Sequence, residues 1–300
     1  MRVGLDSYCF HRYFGEIYPG LQEDPGIRWD MKDDFIPFAL SLNVDEVALE
    51  SCFFPTFDNN YIDELRKILD DAGKPRILGW GHPDGLHAGT DEAALADLIA
   101  HIPQAKRLGC TIMRIVASSM IHVKDDHSIQ VKASIKMLKK AAKVAEDFGI
   151  ILAIENHIDF TSQEILEIIH GVNSSNLRIN LDTGNAIRLF EDPVEATRAL
   201  APFVVSTHTK DITNRRGGAP SANFVWWPSC PAGEGLVDLP GVAQVLFDSG
   251  FKGSLALELD LLATPWDKIS EEENVKSSIA YLKTIASKYG RQDIVTGESR

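Results

Sequence analysis

Two hydrophobic patterns alternate along the whole chain. Short unbroken apolar runs are separated by longer stretches in which apolar residues recur every three or four positions. The first pattern is that of a strand buried on both faces, the second that of an amphipathic helix laid against it. The clearest run is Ile150-Ile151-Leu152-Ala153-Ile154, which stops at Glu155-Asn156-His157. Three later runs end in the same way: Leu177–Leu181 at Asp182, Phe203–Thr207 at His208 and Ser254–Leu257 at Glu258. Earlier strands are expected at Arg2–Ser7, at Val44–Leu49 before Glu50, at Arg76–Trp80 and at Thr111–Ala117. Helices are expected at Lys32–Leu42, Ile62–Ala72, from an N-cap at Thr90 to Leu108, and at Ser128–Phe148. Further helices follow at Ser162–His170 (closed by Gly171), from Asp192-Pro193, at Asp238–Ser249 and from Ser270 to Tyr289. Pro103 should break or kink its helix, because it has no N–H to donate.

Strand and helix alternating eight times predict an α/β fold, a (β/α)₈ barrel forming a single domain over residues 1–300. A doubly wound open sheet is the alternative. Its first strand would usually lead into a Gly-rich phosphate loop, and Asp6-Ser7-Tyr8-Cys9-Phe10 is not one. Three segments stand outside the alternation. The aromatic insert from Tyr8 to Met31 would either close the site or pack on a partner in a homo-oligomer. The loop at about 209–237 carries Trp226 and Trp227 and is expected to be an ordered lid. From about residue 291 the chain is a polar tail.

Charge and composition narrow the partners. The formal net charge of −13 opposes a phosphate-backbone binder, which needs a basic surface. No apolar run nears the ~20 residues that span a bilayer, and Asp6 interrupts the N-terminus too early for a signal peptide. Cys9, Cys52, Cys110 and Cys230 are scattered without a CxxC pair, so reduced thiols and a cytoplasmic location are expected.

The chemistry lies at the strand ends. In barrels and open sheets of parallel strands, sites are built where the strands terminate. Glu155, Asp182, His208 and Glu258 end the last four runs and are expected to converge on one divalent metal ion. Three carboxylates and one imidazole form a hard, oxygen-rich ligand set. It favours Mn²⁺, then Mg²⁺ or Co²⁺, over Zn²⁺.

These residues lie in motifs with a familiar order: Ala153-Ile154-Glu155-Asn156-His157, Leu181-Asp182-Thr183-Gly184-Asn185, Thr207-His208-Thr209-Lys210-Asp211, Gly233-Glu234-Gly235-Leu236-Val237-Asp238 and Leu257-Glu258. The chain resembles the sugar-phosphate isomerase/epimerase family, the xylose isomerase-like barrels that include ketose 3-epimerases. The resemblance implies that the four strand-end residues bind the metal and that Glu155 and Glu258 double as acid and base. It does not say which glutamate has which role. The implied reaction is isomerisation or epimerisation of a keto-sugar or sugar derivative through a metal-stabilised enediolate. The alternative is a lyase on the same scaffold: a decarboxylase of an oxo-sugar acid, a dehydratase, or a deglycosidase of an oxidised glycoside. An endonuclease for abasic DNA shares the barrel, but the charge and the loss of a histidine at Asn185 oppose it. A non-catalytic sugar binder would not need an acid–base pair.

Substrate contacts are expected from His157, Asn185, Lys210, Arg215, Glu50, His82 and Arg114. Asn185 stands where many epimerases carry a histidine, and Arg215 resembles a family arginine displaced by one residue. His157 lies on the same strand face as Glu155. Arg114, Lys210 and Arg215 together would suit a carboxylate. Glu234 would line the site beneath the lid, and Trp80, Trp226 and Trp227 would either stack on a sugar or pack. With no phosphate cradle evident, an unphosphorylated carbohydrate is expected.

Overall fold

The computed structural model describes residues 1–82, 84–122, 124–214 and 227–289. Eight parallel strands close into a barrel: β1 (Arg2–Asp6), β2 (Glu46–Glu50), β3 (Arg76–Gly79), β4 (Ile112–Ile115), β5 (Ile151–Glu155), β6 (Leu177–Asp182), β7 (Val204–His208) and, after a two-stranded ribbon of β8 (Asp211–Ile212) and β9 (Ser229–Cys230), β10 (Ser254–Leu257). The helices are α1 (Ile36–Ser41), α2 (Asn59–Asp71), α3 (Glu92–Leu108), α4 (His127–Phe148), α5 (Ser162–Val172), α6 (Asn185–Arg188), α7 (Pro193–Leu200), α8 (Leu239–Asp248) and α9 (Glu271–Ser287). The expected strand order is therefore present, with each boundary within a few residues of its place in the sequence pattern. None of the described helices is long and apolar enough to cross a membrane.

Neighbouring strands pair in sequence from β1 to β7, and β10 pairs with β1. The last seam, between β7 and β10, is narrow. It rests on one parallel bridge, Thr209 to Leu257, with Thr209 N donating to Ala256 O at 2.6 Å. The Thr207 hydroxyl extends it, donating to Ser254 O (2.9 Å) and accepting from Ala256 N (3.0 Å). A side chain thus completes the ladder where the backbone alone does not.

The helix ends show where local signals compete. Asp91, not Thr90, caps α3, accepting from Ala93 N and Ala94 N at 2.8 and 3.0 Å. A carboxylate satisfies two free N–H groups at once and complements the helix dipole. Pro103 does not break α3. Burial of Leu95, Leu98, Ile102, Ala105 and Leu108 outweighs the one lost hydrogen bond. Gly171 does not close α5, which runs on to Val172 and ends at Asn173 with φ of 54°. A Cβ on Gly171 would lie 2.4 Å from Ile135 Cδ1, so this glycine sits within the helix to let α4 approach.

Gly89 is constrained twice. Its φ is +79°, and a Cβ there would lie 2.3 Å from the Ala133 carbonyl carbon on α4. Gly250 has a comparable φ of +82° but open space around it. Gly250→Ala is therefore expected to cost about 1 kcal/mol from backbone strain alone. Gly89→Ala should cost at least ~2 kcal/mol more from backbone collision. Urea midpoints for the two variants check this, and equal midpoints would refute it.

Candidate metal centre

The site is assembled at the C-terminal ends of the strands, from residues that alternate inward along each strand. Two positions below each rim residue the inward side chain is small on five strands: Gly4, Ala48, Ala153, Ser206 and Ala256. This low layer leaves the space above to charged groups. Asp6, Glu50, Glu155, Asp182, His208 and Glu258 are all 4% exposed or less.

Glu155, Asp182, His208 and Glu258 each offer one ligand atom, and the four atoms lie within 4.8 Å of one another. Glu155 Oε2, Asp182 Oδ2, His208 Nδ1 and Glu258 Oε2 are all buried, and none makes a hydrogen bond. His208 Nδ1 stands 2.5 Å from Glu258 Oε2 and 3.4 Å from Glu155 Oε2, close but not aligned for one. Glu155 Oε2 and Asp182 Oδ2 have ion-pair contacts instead, with Arg114 Nε at 2.8 Å and Lys210 Nζ at 3.0 Å, and a cluster this rich in buried acceptors suits a cation.

The opposite end of each ligand is held. Asp182 Oδ1 accepts from Gly184 N (2.8 Å) and Asn185 N (2.9 Å). Asn156 clasps the Asp182 backbone on both sides, donating to its carbonyl at 2.8 Å and accepting from its N–H at 2.7 Å. Glu155 Oε1 accepts from Asn185 Nδ2 at 3.2 Å. Lys210 Nζ lies 3.2 Å from Glu258 Oε1. Asp6 Oδ2 is 3.3 Å from His208 Nε2, which turns Nδ1 toward the other three ligands.

Burial and charge set the protonation states. Burial alone would raise Glu155 and Glu258. Arg114 and His208 outweigh it at Glu155 and hold it well below the usual carboxylate range, while His208 and Lys210 bring Glu258 down to about 2. Burial lifts Asp182 to about 6 despite Lys210. It also lifts Glu50 to about 8 against the pull of Arg114. His157 is pushed down to about 4 by burial and is neutral near pH 7.

Above the cluster lies a cavity of about 600 Å³. Glu50, His82, Arg114, His157 and Lys210 all border it, as do Glu155 and Glu258. Asn185 is buried beside it against Glu155. Arg215 and Trp226 lie outside the described residues. Glu234 is exposed and away from the cavity. Trp80 packs instead, donating to Asp97 Oδ2 at 2.8 Å and stacking on His82. Asp211 serves the loop, accepting from Gly233 N (2.9 Å), Gly235 N (3.0 Å) and Val237 N (3.1 Å). The insert closes one side, with Tyr8, Glu16 and Tyr18 on the cavity wall.

Sequence reading missed three residues of the site. Asp6 ends β1 as Glu155 ends β5, a signal that was available. Asp260, two positions after Glu258, follows from strand alternation. Arg188, which reaches Asp260 Oδ2 at 2.8 Å, carries no sequence signal.

Mn²⁺ at 100-fold its dissociation constant should stabilise the protein by ~2.7 kcal/mol. Thermal melts should show this rise in the wild type and not in Asp182→Asn. Asp6→Asn should keep the four ligands but weaken Mn²⁺ binding roughly 10–100-fold, read by calorimetry. Unchanged affinity would show that Asp6 does not orient His208.

The comparisons with known proteins agree with this fold. Residues 37–285 match the family model for the xylose isomerase-like TIM barrel. A 3-oxo-isoapionate decarboxylase from Pectobacterium atrosepticum is 25% identical over 273 residues, covering 91% of this chain and 89% of that protein. The crystal structure of D-psicose 3-epimerase with D-tagatose, from Clostridium cellulolyticum H10, superposes with a TM-score of 0.71 at 16% identity over 95% of this chain and 99% of that one. A xylose isomerase-like TIM barrel protein from Mycobacterium smegmatis, in complex with magnesium, has a TM-score of 0.67 at 16% identity over 96% and 97%. The chain belongs to the xylose isomerase-like TIM barrel family.

Proposed function

We propose that this protein is a divalent-metal-dependent sugar isomerase or epimerase acting on a keto-sugar or sugar derivative. The observation that carries this reading is the convergence of four buried candidate ligand atoms within 4.8 Å of one another, two of them on glutamates beside one cavity. A dication held by Glu155, Asp182, His208 and Glu258 would stabilise negative charge on the substrate's oxygens as a proton leaves carbon. Mn²⁺ fits the oxygen-rich donor set, and Mg²⁺ fits it too.

Glu155 and Glu258 are the acid–base pair. They stand on β5 and just past β10, with β6 and β7 between them, so each approaches the substrate from its own side. Neighbouring cations hold both carboxyls low, so either can accept a proton from carbon, and the acid is the one that has taken up a proton from its partner's side or from solvent. Glu50, neutral near pH 7, offers a hydroxyl group to substrate oxygens, and its Oε1 has no partner. His157 and His82 also line the cavity.

Substrate charge follows from the pairing of the site's cations. Arg114 lies 2.8 Å from Glu155 Oε2 and 3.7 Å from Glu50 Oε2. Lys210 Nζ lies 3.0 Å from Asp182 Oδ2 and 3.2 Å from Asp260 Oδ2. With both engaged, an uncharged polyol fits better than a carboxylate or phosphate. A second reading, loss of carbon dioxide from an oxo-acid, is supported by the decarboxylase relative.

Incubation of the Mn²⁺-loaded enzyme with ketoses in deuterium oxide tests the choice. Deuterium should enter at the carbon beside the carbonyl. Glu155→Gln and Glu258→Gln should each slow that exchange about 10²–10⁴-fold. Carbon dioxide release from oxo-acids without exchange into ketoses would select the second reading.

A further inference from the structure

Asn185 and Arg188 begin and end the short helix α6. Three residues apart on one turn, they face the same side. The turn itself is fastened to a metal ligand, because Gly184 N and Asn185 N both donate to Asp182 Oδ1. A Cβ on Gly184 would lie 2.6 Å from Ile212 Cγ1, so this turn is also pressed against β8.

Arg188 is gripped from the far side. Its Nη2 donates to Asp260 Oδ2 at 2.8 Å and to the Trp227 carbonyl at 3.1 Å, and Nε donates to the same carbonyl at 3.2 Å. Asp260 is in turn tied to the Ser229 hydroxyl and to Lys210. The remaining nitrogen, Nη1, donates to Asn185 Oδ1 at 3.0 Å. On the other side of the amide, Asn185 Nδ2 donates to Glu155 Oε1 at 3.2 Å.

The chemistry of the three groups leaves one amide orientation. A guanidinium only donates and an ionised carboxylate only accepts. Asn185 must turn its oxygen to Arg188 and its N–H₂ to Glu155. The reversed amide would set donor against donor and acceptor against acceptor.

We propose that Arg188 is a positioning residue: anchored by Asp260 and the Trp227 carbonyl, it fixes the Asn185 amide, which holds Glu155 Oε1 and so commits Oε2 to the metal cluster. This rests on reading Glu155 as a metal ligand. It also gives Asn185 a role other than a direct grip on substrate, since both ends of its amide are already engaged by protein.

Charge and position predict opposite signs for one measurement. Removing the Arg188 cation should tighten binding of a nearby dication if charge alone matters. Removing a positioning group should weaken it, by about 10-fold for a partner that orients a ligand. Calorimetric titration of Arg188→Met with Mn²⁺ is expected to show the weakening. Asn185→Ala, which leaves Arg188 with Asp260 and Trp227, should show a similar loss. The double variant should lose no more than the larger single one, because both act through one amide. Arg188→Lys should not restore affinity, since an ammonium lacks the planar fork. Tighter or unchanged binding in Arg188→Met, or additive losses in the double variant, would overturn the proposal.

A second readout needs no metal. The Asn185 side-chain amide resonances, identified by their loss in Asn185→Ala, should shift toward free-amide positions in Arg188→Met. Unmoved resonances would overturn the proposal. If wild-type protein binds no Mn²⁺ while those resonances still shift, the metal reading fails and the amide contact stands.

Discussion

The structure depends on holding carboxylates together in one buried cluster. Asp6, Glu50, Glu155, Asp182, Glu258 and Asp260 are all at most 8% exposed and surround one small volume. Isolated buried charge is expensive, and such groups must be paired, coordinated or neutralised. Arg114, Arg188 and Lys210 match half of the six. Glu50 is raised toward neutrality, which settles a fourth. The negative charge that remains on this cluster favours a bound cation.

Barrel architecture makes that arrangement feasible. Six of the eight barrel strands deliver one acid or base at or just past their ends, and parallel register brings the ends to a common rim. The small residues beneath keep the long charged side chains from being forced outward. Restraint falls on the ends that do not face the cluster: backbone N–H groups on Asp182, an amide on Glu155, a carboxylate on His208 and an ammonium on Glu258. Each ligand atom is therefore presented with its freedom already spent, which is how preorganised sites gain affinity.

The sequence made the strands and the four clustered side chains legible for one reason. An apolar run that stops abruptly at an acid or histidine marks both a buried strand and its functional end. Glu155, Asp182, His208 and Glu258 all carry that signal, and the cluster brings them together. Where two local signals compete, sequence alone could not decide. Thr90 and Asp91 are both capping residues, and the side chain that reached two N–H groups prevailed. Gly171 reads as a stop until α4 is laid beside it. Arg188 was invisible because its meaning lies in what it touches: Trp227, Asp260 and Asn185 are distant in sequence or lack any pattern with it.

The aromatic insert completes the logic of the site. Tyr8 donates its hydroxyl to Glu16 Oε1 at 2.9 Å, and the Tyr8 and Tyr18 hydroxyls share a hydrogen bond of 2.9 Å. Burial raises the Tyr8 phenol well above its ordinary value, so it stays a neutral donor. This side of the cavity is therefore lined by Tyr8, Tyr18 and Glu16, two phenols and a carboxylate. A wall that is apolar on its faces and polar at its edges complements a sugar ring, whose C–H faces and hydroxyl rim have the same division. It offers nothing cationic to a phosphate. The insert thus brings hydroxyls and a carboxylate to the cavity, while the barrel rim brings the buried charges.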